Sequence, residues 1–277
     1  MAEFYVDSFG LRIRQEFEVP INEHSMSSGR WRNDVGLGDL GGEDFYEWNF
    51  LLDAIKTSGP SFRMVELGCG YGRWLGIAWT TIRRILADPN KDIELLGVEP
   101  SPGRKLFFEQ YMQDNGIAFD PKTQVYFAPV GVHRAAGQGG MEESEPAKGY
   151  GRSVVSGDVP VKVLPLGRIV FFKGIVDYLS MDVQGAELEA ITGEGSEAIL
   201  ERCRYVHIAT HGGGLGDKCR KRMTDLGFKN ITSMPKSALY KDILYIDGME
   251  QFVNLRMNAP QLQDRKDKPA VQLELPL

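Results

Sequence analysis

The sequence predicts an α/β protein built on a doubly wound, seven-stranded and mostly parallel sheet with helices on both faces, and three observations predict it. From residue 62 onward, short apolar runs alternate with segments of helical periodicity. The first run closes in a turn with three alternate glycines, Gly68, Gly70 and Gly72, and opens directly into a helical pattern. The second run ends in an acid, Glu99, at the strand tip where open α/β sheets present polar groups to ligands. A length of 277 residues, with 42% hydrophobic and 25% charged residues, supplies the core of one elaborated domain. The same figures exclude a disordered, collagenous or coiled-coil chain.

Residues 1–60 read as an N-terminal extension. Its clearest element is a helix from Asp44 to Lys56, where Phe45, Trp48, Leu51, Leu52 and Ile55 recur at helical spacing. The polar, glycine-bearing stretch before it, from His24 to Gly42, is too long for a tight connection and reads as a lid or a loose arm. The Rossmann-like domain is expected over residues 61–250. Phe62 to Leu67 is its first strand, and Trp74 to Leu86 is a helix that Pro89 stops. Ile93 to Val98 is the second strand, followed by a helix after Pro102 that ends at Asn115-Gly116. Val125 to Val132 reads as the third strand. An insertion of about 134–177 then carries a glycine-rich acidic loop and two apolar stretches, VPVKVLPL and IVFFKGIV, expected as a hairpin or edge strands. Tyr178 to Val183 is the fourth strand, Ala186 to Leu200 a helix, and Tyr205 to Thr210 the fifth strand. Asp217 to Leu226 is helical with Gly227 as its stop, and Asn230 to Ser233 and Asp242 to Asp247 are expected as the last two strands. Residues 251–277 lack periodicity and read as a C-terminal tail.

The formal charge is −6, from 32 basic and 38 acidic residues, so the surface should repel a phosphate backbone and nucleic acid is not an expected partner. Three cysteines, Cys69, Cys203 and Cys219, show no CxxC spacing, which fits a reducing, cytoplasmic compartment. No run approaches the roughly 18 apolar residues of a membrane span. A homo-oligomer is compatible with this sequence but nothing in it requires one.

The chemistry concentrates around Met64-Val65-Glu66-Leu67-Gly68-Cys69-Gly70-Tyr71-Gly72. The glycines imply close backbone approach to a ligand. A dinucleotide fingerprint would place its third glycine where Arg73 stands, and Glu66 beside the turn would repel a pyrophosphate, so a nicotinamide-dependent oxidoreductase fits poorly. A cofactor with a cationic amino-acid end and an adenosine end suits the same turn, and S-adenosylmethionine answers that description. Glu66 would attract its positive part, Gly68, Gly70 and Gly72 would let it lie on the backbone, and Glu99 would accept hydrogen bonds from its ribose hydroxyls. Pro100 and Ser101 beside Glu99, and Val130 and Gly131 after the third strand, complete the expected cofactor-contacting set, with Asp182 at the tip of the fourth strand.

VELGCGYG, LLGVEPSP, VYFAPVGV, LSMDVQGAELEAITG and YVHIATHGG, in this order, resemble the FkbM family of S-adenosylmethionine-dependent methyltransferases. The resemblance covers roughly residues 62–247, and its most specific part is the string from Asp182 to Gly193. It implies a class I methyltransferase fold and methylation of a hydroxyl on a sugar, glycan or natural-product acceptor. It also implies a role for Glu187 in the site. Two departures stand out: Gln184 occupies a position where the family usually has an acid, and the fifth strand carries His207 and His211 where relatives often have a glutamate.

Methyl transfer to an alcohol calls for orientation and for a group that takes the hydroxyl proton. His211 is the first candidate base, because it should emerge beside Asp182 at the strand ends and imidazole titrates near neutrality. Asp182 would orient it, contact the cofactor amine or bind the acceptor. Glu187 sits in the first turn of the following helix, where a carboxylate also favours the helix dipole. His207 should lie deeper, as a core histidine. Arg30 and Trp31, with Gln184, are candidates for binding the acceptor. No HExxH motif or paired CxxC marks a metal site. The alternative to an enzyme is a noncatalytic methyltransferase-like module for binding or assembly, against which the set of Glu66, the glycines and Glu99 speaks.

Overall fold

The computed structural model describes residues 3–17, 43–141, 157, 159–237, 239–240, 243–244 and 247–257. Seven strands form the main sheet: β3 (Ser61–Leu67), β4 (Asp92–Val98), β5 (Thr123–Ala128), β9 (Val176–Met181), β10 (Cys203–Thr210), β11 (Phe228–Met234) and β14 (Gly248–Asn254). Their spatial order is β11-β14-β10-β9-β3-β4-β5, and β14 alone runs against the rest. This is the predicted doubly wound sheet, with its direction of winding reversing between β3 and β9.

Side-chain alternation along the strands sends two cores to opposite faces. Met64, Tyr178, Tyr205 and Val253 join one core with helices α1 (Glu43–Thr57), α2 (Arg73–Thr80) and α3 (Arg104–Asp114). Val65, Leu179, Val206 and Phe252 join the other with α5 (Glu187–Thr192), α6 (Ser196–Leu200) and α7 (Leu215–Asp225). Beneath the sheet edge, Asp120 fastens the end of α2 to the start of β5 by accepting hydrogen bonds from Trp79, Arg83 and Thr123. Burial works against its charge, but these donors prevail and bring its pKa down to about 2.

Five elements differ from the sequence reading. The third strand ends at Ala128, because Pro129 has no N–H to continue the ladder. Val132 belongs instead to a small separate sheet, in which β8 (Val159–Leu164) is flanked by β6 (Gly131–Val132) and β7 (Gly137–Met141). This sheet contains the VPVKVL stretch expected as an added hairpin, whereas the second apolar stretch, residues 169–176, is neither helix nor strand between Ile169, the last residue of the short helix α4 (Leu166–Ile169), and Val176, the first of β9. The single helix expected over Ala186 to Leu200 is two, α5 and α6, parted where Gly195 takes φ +69° and Gly193 lies against the Arg134 carbonyl.

The last sheet strand is Gly248–Asn254 rather than Asp242 to Asp247, and it carries the sheet four residues past residue 250. Ile243–Leu244 (β13) pairs with Leu239–Tyr240 (β12) outside the main sheet. Finally, an N-terminal hairpin, β1 (Phe4–Val6) with β2 (Arg12–Arg14), packs onto the first core, an element the sequence reading left unassigned. Among the described residues no helix is long and apolar enough to cross a membrane.

Candidate active site

The reversal between β3 and β9 places two chain turns side by side. The N–H of Asp182 donates to the Leu67 carbonyl at 2.9 Å, continuing the ladder between the two strands. Gly68 and Cys69 donate to the Val98 carbonyl of β4 at 2.8 and 3.1 Å, so the glycine turn is held from both sides. Gly68 has φ +80°, and a Cβ there would stand 1.9 Å from the Asp182 carbonyl oxygen. Gly72, at φ +88°, is similarly crowded by Met112 and Phe108. Gly70 differs: its φ is +55°, and nothing stands within 4 Å of where a Cβ would be. The turn is packed at its two outer glycines and open at the middle one.

Two acids flank this opening. One Glu99 oxygen accepts the Gly70 N–H at 3.1 Å and the other accepts the Ser101 N–H at 2.9 Å. Burial raises its pKa, partly offset by those two amides. Pro100 and Ser101 are half-buried beside it, and Val130 and Gly131 are buried after β5. Glu66 is buried, and its Oε2 has no hydrogen-bond partner. Burial holds its carboxyl well above the ordinary range, with Asp182 and Glu99 adding to the effect. A carboxyl in this state is primed to gain from a cation placed against it.

The second cluster lies at the ends of β9 and β10. The Nδ1 of His211 is 2.8 Å from Oε1 of Glu187, which also accepts the Gly185 N–H at 3.1 Å. Its Nε2 stands 3.2 Å from Asp182 and 3.6 Å from Asp247. Burial disfavours the imidazolium, but Asp247, Glu187 and Asp182 outweigh it and push the His211 pKa up to about 10. The expectation of a histidine titrating near neutrality is thereby corrected: surrounded by three carboxylates, the ring is charged at pH 7. Asp182 loses surrounding water, which raises its pKa against the opposing pull of His211. Asp182 is also the outward member, its side chain 41% exposed against 9% for His211 and 0% for Glu187.

This protonation has a thermodynamic consequence. The folded-state pKa of His211 lies above its ordinary 6.5, so its contribution is complete below pH 6.5 and is lost as pH rises toward 10. Denaturant titrations should show stability falling across that window by on the order of 5 kcal/mol, with the slope flattened in His211→Gln. An equally steep decline in the variant would remove the assignment.

The structure brings together Glu66, the glycines, Glu99, Asp182, Glu187 and His211. Gln184 joins them in an unexpected way, donating from Nε2 to Asp182 at 2.7 Å from a backbone with φ +53°. An acid here would face Asp182 with like charge, whereas the amide supplies a donor. Arg30 and Trp31 lie outside the described residues. His207 is buried, as expected, and burial brings its pKa down to about 3, so it stays neutral. Sequence reasoning missed Asp247. It sits immediately before β14, and because that strand is antiparallel to β10, its beginning borders the site, with Thr210 opposite Gly248. Among the described residues no group of three or more His, Cys, Asp and Glu side chains is arranged to hold a metal ion.

A model of the methyltransferase FkbM domain matches residues 69–229. A provisionally named methyltransferase of Jannaschia sp. (strain CCS1) is 27% identical over 249 residues, which cover 84% of this chain and 83% of that protein. Among solved structures, the chain is similar to the ribosomal protein L11 methylase of Lactobacillus delbrueckii subsp. bulgaricus, with 9% identity, 74% and 76% of the two chains covered, and a TM-score of 0.42. It is also similar to M. capricolum TrmK in complex with S-adenosyl-homocysteine, with 12% identity, 74% and 67% coverage, and a TM-score of 0.41.

Proposed function

The chain belongs to the FkbM methyltransferase family, and from that premise we propose that it methylates a hydroxyl oxygen of a sugar, glycan or natural-product acceptor with S-adenosylmethionine as donor. The observation that carries the cofactor reading is the buried, partnerless Oε2 of Glu66 beside a glycine turn that is open at Gly70. When bound, this cofactor supplies an electrophilic methyl group to an attacking oxygen in line with its sulfur.

The chain's own residues divide the remaining work. Glu66 would meet the cationic amino-acid end, and the open side of Gly70 would let that end lie close to the backbone. Glu99 keeps lone pairs free after accepting its two backbone amides and directs them to the ribose hydroxyls. Val130 and Gly131, buried after β5, would contact the cofactor on the far side of Glu99. At the acceptor end, Asp182 takes the hydroxyl proton, since it is the most exposed of the three carboxylates, 41% against 35% for Asp247, it lies nearer His211 Nε2, and His211 already holds its proton. His211 keeps Asp182 ionised, and Glu187 fixes the ring through Nδ1. The roles expected for His211 and Asp182 are thus exchanged: the aspartate is the base and the imidazolium supports it.

Calorimetry with S-adenosylmethionine and with a nicotinamide dinucleotide tests the cofactor assignment. Wild type should bind the first at micromolar strength and not the second. Glu99→Ala, which loses both the ribose contact and the tie to Gly70, should bind about tenfold more weakly or worse. Binding of neither cofactor would overturn the reading in favour of a noncatalytic module. Mass spectrometry of a panel of hydroxylated acceptors then identifies what is methylated.

A further inference from the structure

The N-terminal hairpin is too short to be stable alone, with three residues in each strand. It is fastened to α3 instead. Asn115 accepts the Arg12 N–H at 2.7 Å and donates to the Arg12 carbonyl at 2.9 Å. The Arg14 guanidinium makes two parallel contacts with Asp114, at 2.6 and 3.0 Å. Leu11 and Ile13 are buried in the first core.

This anchorage delivers Phe17, at the end of a short 3₁₀ turn (Gln15–Phe17), into a cage of rings. Its centroid is 5.4 Å from Tyr71, 4.9 Å from Phe107 and 6.5 Å from Tyr111. Tyr71 is the residue between Gly70 and Gly72. The Phe17 carbonyl accepts a hydrogen bond from Arg104 Nη1 at 3.0 Å. Arg104 is buried, and its charge favours ionised Glu99. One residue therefore braces the glycine turn with its ring and, with its carbonyl, the guanidinium whose charge favours ionised Glu99.

We propose that Phe17 is a positioning residue for the cofactor cradle, so that the N-terminal hairpin acts as a clamp setting cofactor affinity. This rests on the methyltransferase reading of the cradle. The hairpin is attached to α3 and Asn115, to Arg84 beyond α2 through the Gly10 carbonyl, and to the first core, and none of these contacts involves Asp182, Glu187, His211 or Asp247. The clamp therefore acts on donor binding and leaves acceptor chemistry unchanged once the donor is saturating.

The test measures S-adenosylmethionine affinity by calorimetry and melting temperature in parallel, in the full chain. Phe17→Ala and Phe17→Leu should weaken binding about tenfold, the size expected when ring contacts holding the turn are lost. Phe17→Leu keeps most of the apolar volume, so its melting temperature should stay near that of wild type. Leu11→Ala, equally buried in the same hairpin, should lower the melting temperature while leaving affinity within about twofold. With saturating donor, kcat should be unchanged in Phe17→Leu. Wild-type affinity in Phe17→Leu, or an equal loss of affinity in Leu11→Ala, overturns the clamp. Failure of wild type itself to bind overturns the cofactor reading and the clamp with it.

Discussion

Asp182→Asn is expected to lower the methyl-transfer kcat by about 10²–10⁴-fold, the range a positioned proton acceptor contributes. The amide keeps the shape and the contact with Gln184, but it cannot take a proton. The same assignment governs the pH profile. Asp182 must be ionised, and its pKa is raised by loss of surrounding water, so the acid limb of kcat should lie above the ordinary carboxylate range. His211→Gln removes the charge that favours ionised Asp182, and should move that limb to still higher pH. Steady-state rates at saturating donor across pH 4–9 read both effects. A full rate in Asp182→Asn, or an acid limb that shifts down in His211→Gln, would return the role of base to another group.

The second large effect is expected at the glycine turn, where two substitutions of the same kind should fail in different ways. In Gly68→Ala the new methyl would stand 1.9 Å from the Asp182 carbonyl oxygen, which is backbone and is tied into the β3–β9 ladder. Neither strand can move without breaking the central pairing of the sheet. A destabilisation of about 4 kcal/mol or more is expected, with cofactor binding lost as well. Gly70→Ala has a left-handed backbone too, but its methyl points into open space. Strain alone should cost about 1–2 kcal/mol, leaving a folded protein whose cradle is partly filled. Thermal unfolding and calorimetry separate the two outcomes: a Gly68→Ala protein as stable as wild type would sink the packing argument, and undiminished binding in Gly70→Ala would show that the cofactor lies elsewhere.

The elements readable from the sequence are those whose signals are local. Strand β3, the glycine turn and α2 follow one another within 20 residues, and apolar periodicity, positive-φ glycines and the terminal acid each report on their immediate neighbours. Strand β14 is the counter-example. Its Glu250, Gln251 and Asn254 are all buried, so it lacks the apolar pattern of a central strand. Arg220, Asn230 and Ser233, from α7 and β11, satisfy Glu250. Gln251 donates to the Tyr46 carbonyl at the start of α1, and Asn254 donates to the Cys203 carbonyl. Partners so distant in the chain leave no periodic trace. The N-terminal hairpin is hidden for the same reason, since Asn115 and Asp114 hold it from about 100 residues away.

The candidate site divides along the same line. By itself the sequence determined the doubly wound sheet, the glycine turn, the acids Glu66 and Glu99, and the presence of Asp182, Glu187 and His211 at strand and helix ends. The sheet and the glycine turn follow from periodicity and from the backbone freedom of glycine, which act over a few residues, whereas Glu187 entered the site through the family resemblance. Only the tertiary structure decided that Asp247 belongs with them, that Gln184 serves Asp182 as a donor, and that His211 is charged. The reason is that a protonation state follows the field at the ring, and that field depends on distances in space, here 2.8–3.6 Å to carboxylates brought in by two different segments, the one joining β9 to α5 and the one before β14.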